Sequence, residues 1–199
     1  MTQSNKNYTK LGELLHSKLE KVNSDLLSLT YGAFVTQLLK DYGLVEDVNK
    51  KLDKIGESMG SRLIEEFLAF SGIGKCHNFK ETMEVLAKVG FKTFLGITAD
   101  VNQWDSLNTT CTLAFSDNPF NDFVDLPSSM KELNYSNLLC GCIRGALEQI
   151  HIIVTCEFVK DMLKGDSVNE IRINLKSIRK EEFNETPDSE QPKKDSNRN

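Results

Sequence analysis

Gly72-Ile73-Gly74-Lys75-Cys76-His77-Asn78-Phe79 separates two long amphipathic segments, and its punctuation sets the helical frame on either side. Ser71-Gly72 with Gly74 reads as a helix stop, because glycine enters left-handed backbone without the Cβ penalty of other residues. Asn78, with Glu81 three positions on, reads as a capping box that opens the next helix. Cys76 therefore stands just ahead of a helix N-terminus, between Lys75 and His77. Unpaired N–H groups, the positive end of the helix dipole and a lysine all favour thiolate over thiol, so Cys76 is expected to be a nucleophile. The plain alternative is a half-buried loop thiol without chemistry.

Upstream of this loop, about Glu46 to Ser71 carries a clean helical stripe of Val48, Leu52, Ile55, Met59, Leu63 and Phe67. Gly56 and Gly60 lie near that stripe, and glycine inside a helix costs roughly 1 kcal/mol relative to alanine. Two of them four apart imply a packing reason, a helix pair or a subunit contact. The Gly56/Gly60 face is the candidate patch for a partner. Before it, about Asp25 to Tyr42 holds Leu26, Leu27, Tyr31, Phe34, Val35, Leu38 and Leu39, too many for one narrow stripe. Burial on two sides is expected there, with Gly43 as the stop. Residues 1–23 form an N-terminal arm in which Leu11, Leu14, Leu15, Leu19 and Val22 recur at helical spacing. That spacing fits a short helix packed on a neighbour and fits equally a frayed arm.

Downstream, a third helix is expected from Phe79 to Leu95, with Gly90 inside it marking either a close contact or space kept free of side chains. Cys111, Leu113 and Phe115 alternate as a strand does. Asp117-Asn118-Pro119 reads as a turn, and Phe120 to Leu126 as the returning strand. A long fourth helix is expected from Asn134 to Leu163, apolar or small nearly all round in its first half and so central to the fold. Ile171, Ile173 and Leu175 alternate with polar residues as a last strand. The order ααα-ββ-α-β is that of an α+β domain, about four main helices on one side of a small antiparallel sheet. The domain is expected over 24–180, with a disordered acidic tail over 181–199.

With 199 residues, 39% hydrophobic and 27% charged, the chain has room for one domain with a real core. From Glu181 onward six acidic residues face three basic ones, a local charge of -3 within a net -5. The near-neutral body gives no electrostatic case for nucleic acid. Five cysteines at spacings that match no disulfide framework, behind a polar N-terminus, point to a reducing cytosol. Cys140 and Cys142 are two apart on an expected helix and point to opposite faces, which argues against zinc. Cys76-His77 lacks an oriented third member, which argues against a cysteine hydrolase. No phosphate loop, paired-carboxylate motif or dinucleotide fingerprint is present, so the residues alone describe a binding or assembly module with one activated cysteine.

Several stretches also resemble a known family. Leu29-Thr30-Tyr31-Gly32-Ala33, Asp47-Val48-Asn49-Lys50 and Arg62-Leu63-Ile64-Glu65 are similar to the subunit 3 family of the TRAPP (trafficking protein particle) complex. So are Gly74-Lys75-Cys76-His77-Asn78-Phe79, Tyr135-Ser136-Asn137-Leu138-Leu139-Cys140-Gly141 and Leu163-Lys164-Gly165-Asp166. The resemblance runs from about Asp25 to Lys180. It implies helices packed on a twisted antiparallel sheet and a fatty acyl (palmitate-like) thioester on Cys76, lying in an internal hydrophobic tunnel. Lys75 and His77 would be the loop residues assisting acylation, and Gly90 would stand at a small-residue position of the tunnel. Lys75 replaces the family's more common arginine, which keeps the charge and loses the forked donor. The resemblance further implies a non-catalytic core subunit of a tethering complex that catalyses nucleotide exchange on a Rab-family GTPase in ER-to-Golgi traffic. Its partners would be other small TRAPP subunits, with a homodimer in isolation, and its place the cytoplasmic side of Golgi and ER membranes. The rival reading is a lipid or small-molecule sensor of similar fold.

Overall fold

The computed structural model describes residues 3–179, and the expected acidic tail lies outside the described residues. Three helices open the chain: α1 (Gln3–Lys18), α2 (Ser24–Tyr42) and α3 (Val45–Ser71). Asn23 starts α2, its side chain accepting from the Leu26 N–H at 3.0 Å, and Gly43 ends it at φ 72. Gly72 ends α3 in the left-handed region at φ 66, as the loop punctuation requires. α4 (Phe79–Val85) then runs through a widened π turn (Leu86–Gly90) into α5 (Phe91–Leu95). The third expected helix is thus one rod with a π turn in its middle.

The sheet contains β1 (Asp100–Asn102), β2 (Thr110–Phe115), β3 (Ile152–Lys160) and β4 (Asn169–Ile178), in the order β1-β2-β4-β3 with every pair antiparallel. Between β2 and β3 lies α6 (Asn137–Gln149). The architecture is α+β, as expected, with two changes in how the sheet is supplied. The long fourth helix stops at Gln149, and its second half is β3. The break falls at His151, which takes φ 64. Beyond it Ile152-Ile153-Val154-Thr155 is a β-branched run, which packs well on a pleated surface and loses χ1 freedom in a helix. Ile152 and Val154 point into the core.

The second change concerns Phe120–Leu126, which is no strand. Asn118 holds that segment as a loop: its side chain accepts from the Phe120 N–H at 3.2 Å and donates to Asn121 Oδ1 and Ser136 Oγ, each at 2.9 Å. Phe123 sits at φ 62, outside any strand. β2 pairs instead with β4 along its whole length, Cys111 opposite Ile173 and Leu113 opposite Ile171.

α3 and α6 cross backbone to backbone at the centre of the domain. A Cβ built on Gly56 would lie 2.1 Å from the Leu138 carbonyl oxygen, and one on Gly60 would lie 2.0 Å from that of Cys142. The fit is reciprocal: a Cβ on Gly141 would lie 2.0 Å from the Asp53 oxygen, and one on Gly145 2.1 Å from that of Glu57. Gly56 and Gly60 are buried inside the chain, so they are the helix pair and not the subunit patch. The physical reason is the matching Gly141/Gly145 pair on α6, four residues apart in the same way. Arg144 clips the crossing from its side, its Nη2 donating to Asp53 Oδ2 at 2.6 Å and to Glu57 Oε2 at 2.9 Å.

α2 also departs from expectation. Ser28, Tyr31, Val35 and Leu38 are buried, but Leu26 and Leu29 are 60% and 59% exposed. Its apolar excess faces outward rather than into a second layer of the domain.

Candidate functional site

Cys76 lies half-buried at the edge of a second apolar cluster, separate from the main core. Leu15 of α1, Phe67 of α3, and Val85 and Val89 of the rod form its buried centre. Tyr8, Leu11, Ile64, Phe70 and Ile73 surround it. The N-terminal arm is therefore a docked helix whose leucines share a cluster with the loop cysteine.

The capping box forms with a variation. Asn78 Oδ1 accepts from the Glu81 N–H at 2.9 Å, while Glu81 Oε2 accepts from the backbone N–H of His77 at 2.6 Å. The His77 ring nitrogen Nδ1 stands 2.9 Å from that same oxygen. Tyr8 of α1 donates its hydroxyl to Glu81 Oε1 at 2.6 Å. The Tyr8 hydroxyl first, and then the His77 N–H, push the Glu81 carboxyl down to about 2. Glu81 is thus an anion that ties the arm to the cysteine loop.

The Cys76 thiol is shifted the other way from the expected thiolate. Burial pushes its pKa up, the Glu81 charge adds to the rise, and a hydrogen bond with Thr82 opposes it. At neutral pH Cys76 is a thiol. Burial in the apolar cluster outweighs the helix dipole and the neighbouring lysine. Lys75 is exposed at the rim, and His77, its side chain 86% exposed, turns towards Glu81. The groups that act on the sulfur are Thr82 and Glu81, which the spacing of charges around Cys76 did not single out.

Gly90 closes the π turn and is half-buried. A Cβ there would meet one neighbouring atom within 4 Å, Leu86 Cδ1 at 3.6 Å. That is ordinary contact, so Gly90 borders room rather than a backbone crossing, unlike the glycines of α3 and α6. The remaining cysteines are free: Cys111 and Cys140 are buried, Cys142 and Cys156 are half-buried, and burial pushes the Cys111 and Cys142 thiols up to about 12. Among the described residues no group of three or more His, Cys, Asp or Glu could hold a metal ion. No described helix is long and apolar enough to cross a membrane. Away from Cys76, a groove of about 670 Å³ runs between α2 and the 122–135 loop, lined by Leu29, Ala33, Val35, Leu39, Val124 and Leu126 among others.

The family model described as Transport protein particle (TRAPP) component matches residues 27–174. A Dictyostelium discoideum relative, trafficking protein particle complex subunit 3, is 54% identical over 174 residues, covering 87% of this chain and 94% of the relative. The chain belongs to the TRAPP subunit 3 family. As such it is a subunit of the TRAPP complex. Among solved structures, this TRAPP subunit resembles trafficking protein particle complex subunit 3 from Naegleria fowleri, covalently bound to palmitic acid. That likeness has a TM-score of 0.78 at 50% identity and covers 81% of this chain and 100% of the other. An H-NOX protein from S. oneidensis shares the fold alone, with a TM-score of 0.53 at 11% identity over 89% of this chain and all of that one.

Proposed function

We propose that this TRAPP subunit carries a long fatty acyl chain as a thioester on Cys76 and serves as a structural core of the tethering assembly. In this reading the complex catalyses nucleotide exchange on a Rab-family GTPase in ER-to-Golgi transport. The chain supplies assembly surface and part of the GTPase-contacting surface, and no bond-making residue. It works in the cytoplasm, peripherally on Golgi and ER membranes. The observation that carries the reading is the palmitate covalently held by the N. fowleri relative, which is matched along its whole length.

The residues around Cys76 suit such a group. Cys76 borders the apolar cluster centred on Leu15, Phe67, Val85 and Val89, whose side chains offer an acyl chain no polar atoms. Gly90, with a single atom near its missing Cβ, is the kind of gap that would pass a methylene chain alongside the rod. When bound, the chain supplies apolar filling that contributes about 0.8 kcal/mol per buried methylene. Attachment joins Cys76 Sγ to the carbonyl carbon of an acyl thioester. The donor's own carbon–sulfur bond breaks, and the donor leaves as a thiol with the proton that Cys76 gives up. The Thr82 hydroxyl, bonded at rest to the Asn78 carbonyl at 3.1 Å, can turn to the sulfur and steady the thiolate in passing.

The face for partner subunits is α2, since its exposed Leu26 and Leu29 are an apolar surplus that the domain itself does not cover. In isolation the same face pairs two copies. The test is co-expression with other small TRAPP subunits and size-exclusion chromatography. Leu29→Glu should abolish co-elution while the circular dichroism of the subunit is unchanged. A variant that still co-elutes at wild-type stoichiometry would remove α2 from the interface.

A further inference from the structure

α1 packs along the π turn and α5, and its early turns reach the network beside Cys76 through Tyr8 and Glu81. Its contacts are of several kinds. Tyr8, Leu11 and Leu15 enter the apolar cluster that also contains Cys76 and Ile73. The Tyr8 hydroxyl bonds Glu81 at 2.6 Å, the same carboxylate that accepts the N–H of His77, the residue after the cysteine. Gly12 lies directly over the π turn, where a Cβ would come within 2.3 Å of the Lys88 carbonyl oxygen. Farther along, the His16 ring packs near Gly96. Leu15, at 8% exposure, is the one α1 residue in the buried apolar set of the described residues, and Leu14 is 50% exposed. So little buried apolar surface makes α1 an element that opens locally at small cost while the main core stays closed.

We propose that α1 is a hinged strap over Cys76. Lifted, it admits a long-chain acyl thioester donor to the sulfur; docked, it shields the product thioester from water and soluble thiols. The hinge is the stretch 19–23, exposed for most of its length between Lys18 and the start of α2. Tyr8 and Glu81 form the latch, and Gly12 sets the depth at which the strap seats. The purpose of the strap rests on the acylation reading, but its geometry does not, and the two can be separated by experiment.

The probe is N-ethylmaleimide, which adds across its double bond to a free thiol with no leaving group. The full-length protein is first treated with neutral hydroxylamine to free Cys76, and adducts are located by peptide mass spectrometry. Tyr8→Phe, which deletes the latch hydroxyl alone, should raise the alkylation rate at Cys76 by roughly tenfold to a hundredfold, the effect of losing a hydrogen bond to a charged group. Gly12→Leu, which cannot seat over the Lys88 carbonyl, should raise it further. Alkylation at Cys142 and Cys156, remote from α1, should be unchanged in both, which separates strap opening from general unfolding. Equal rates at Cys76 in wild type and Tyr8→Phe would overturn the strap. If Gly12→Leu unfolds the domain, Tyr8→Phe decides. Faster alkylation in a protein that never carries an acyl mass would keep the strap and remove its acyl purpose.

Discussion

Replacing Gly60 with alanine adds one methyl group to the α3–α6 crossing, and the outcome can be worked from the geometry. The new Cβ would start 2.0 Å from the Cys142 carbonyl oxygen and 2.8 Å from its Cα, where real Cβ atoms essentially never come within 3.0 Å. Relief therefore needs a displacement of about 1 Å between two backbones, with no flexible side chain to absorb it. Overpacking of this kind costs about 1–3 kcal/mol, and the upper end applies when only rigid backbone can yield. Against it stands a helix-propensity gain of about 1 kcal/mol from removing glycine. The net is a loss of about 2 kcal/mol, which for a domain of this size lowers the melting temperature by roughly 4–8 °C. Gly90→Ala is the internal control, since its Cβ meets only Leu86 Cδ1 at 3.6 Å and the same propensity gain stands unopposed. Thermal unfolding followed by circular dichroism at neutral pH compares the two. Gly60→Ala melting at or above the wild-type temperature would refute a backbone-to-backbone crossing and with it the reason for keeping four small residues there.

Other consequences follow from the same contacts. Arg144→Met should cost about 1–2 kcal/mol at pH 7, because Asp53 and Glu57 would be left part-buried without their guanidinium. Burial already holds the Asp53 pKa above its ordinary value, so its protonated form is the one favoured on folding. Without Arg144 that rise grows, and the stability missing at pH 7 should return as pH falls through the raised folded value; a deficit that is constant with pH would contradict this. Glu81 behaves oppositely: its folded pKa of about 2 lies below the unfolded 4.5, so its contribution is present above pH 4.5 and fades as pH falls towards 2. Melting curves of Glu81→Gln should lack that component, and identical acid profiles in variant and wild type would remove the Tyr8–Glu81–His77 network. Gly90→Leu should leave the fold intact, judged by circular dichroism, while reducing the fraction of molecules bearing an acyl mass. An undiminished fraction would place the chain elsewhere.

Local chemistry was legible in the sequence wherever a short-range rule decides the outcome. Gly43 and Gly72 end their helices in positive φ, and Asn78 caps Glu81, because these are choices made within four residues. The alternation of Ile171 and Ile173 marks β4 for the same reason. What stayed hidden depends on distant partners. No glycine or proline punctuates the Ile150-His151 break, so an apolar run from Leu138 onward passes for one helix; the β-branched residues after it were the available signal. Phe120–Leu126 has strand composition, but β2 finds a longer partner in β4, some sixty residues away in the chain. Gly56 and Gly60 were recognisable as packing glycines, and only the matching spacing of Gly141 and Gly145 says that they pack within the chain. The Cys76 loop shows the limit most clearly. Its sequence neighbours are cationic, yet the sulfur answers to burial, Thr82 and Glu81, and it shares its apolar cluster with α1, which precedes it by some sixty residues.

The most direct test of the acyl-carrying subunit is the intact mass of the purified full-length protein, measured before and after neutral hydroxylamine and beside Cys76→Ser. A long-chain fatty-acyl increment that hydroxylamine removes and the variant lacks is the predicted result. An unmodified wild-type mass, or an increment that persists in Cys76→Ser, would contradict the assignment of the acyl chain to Cys76.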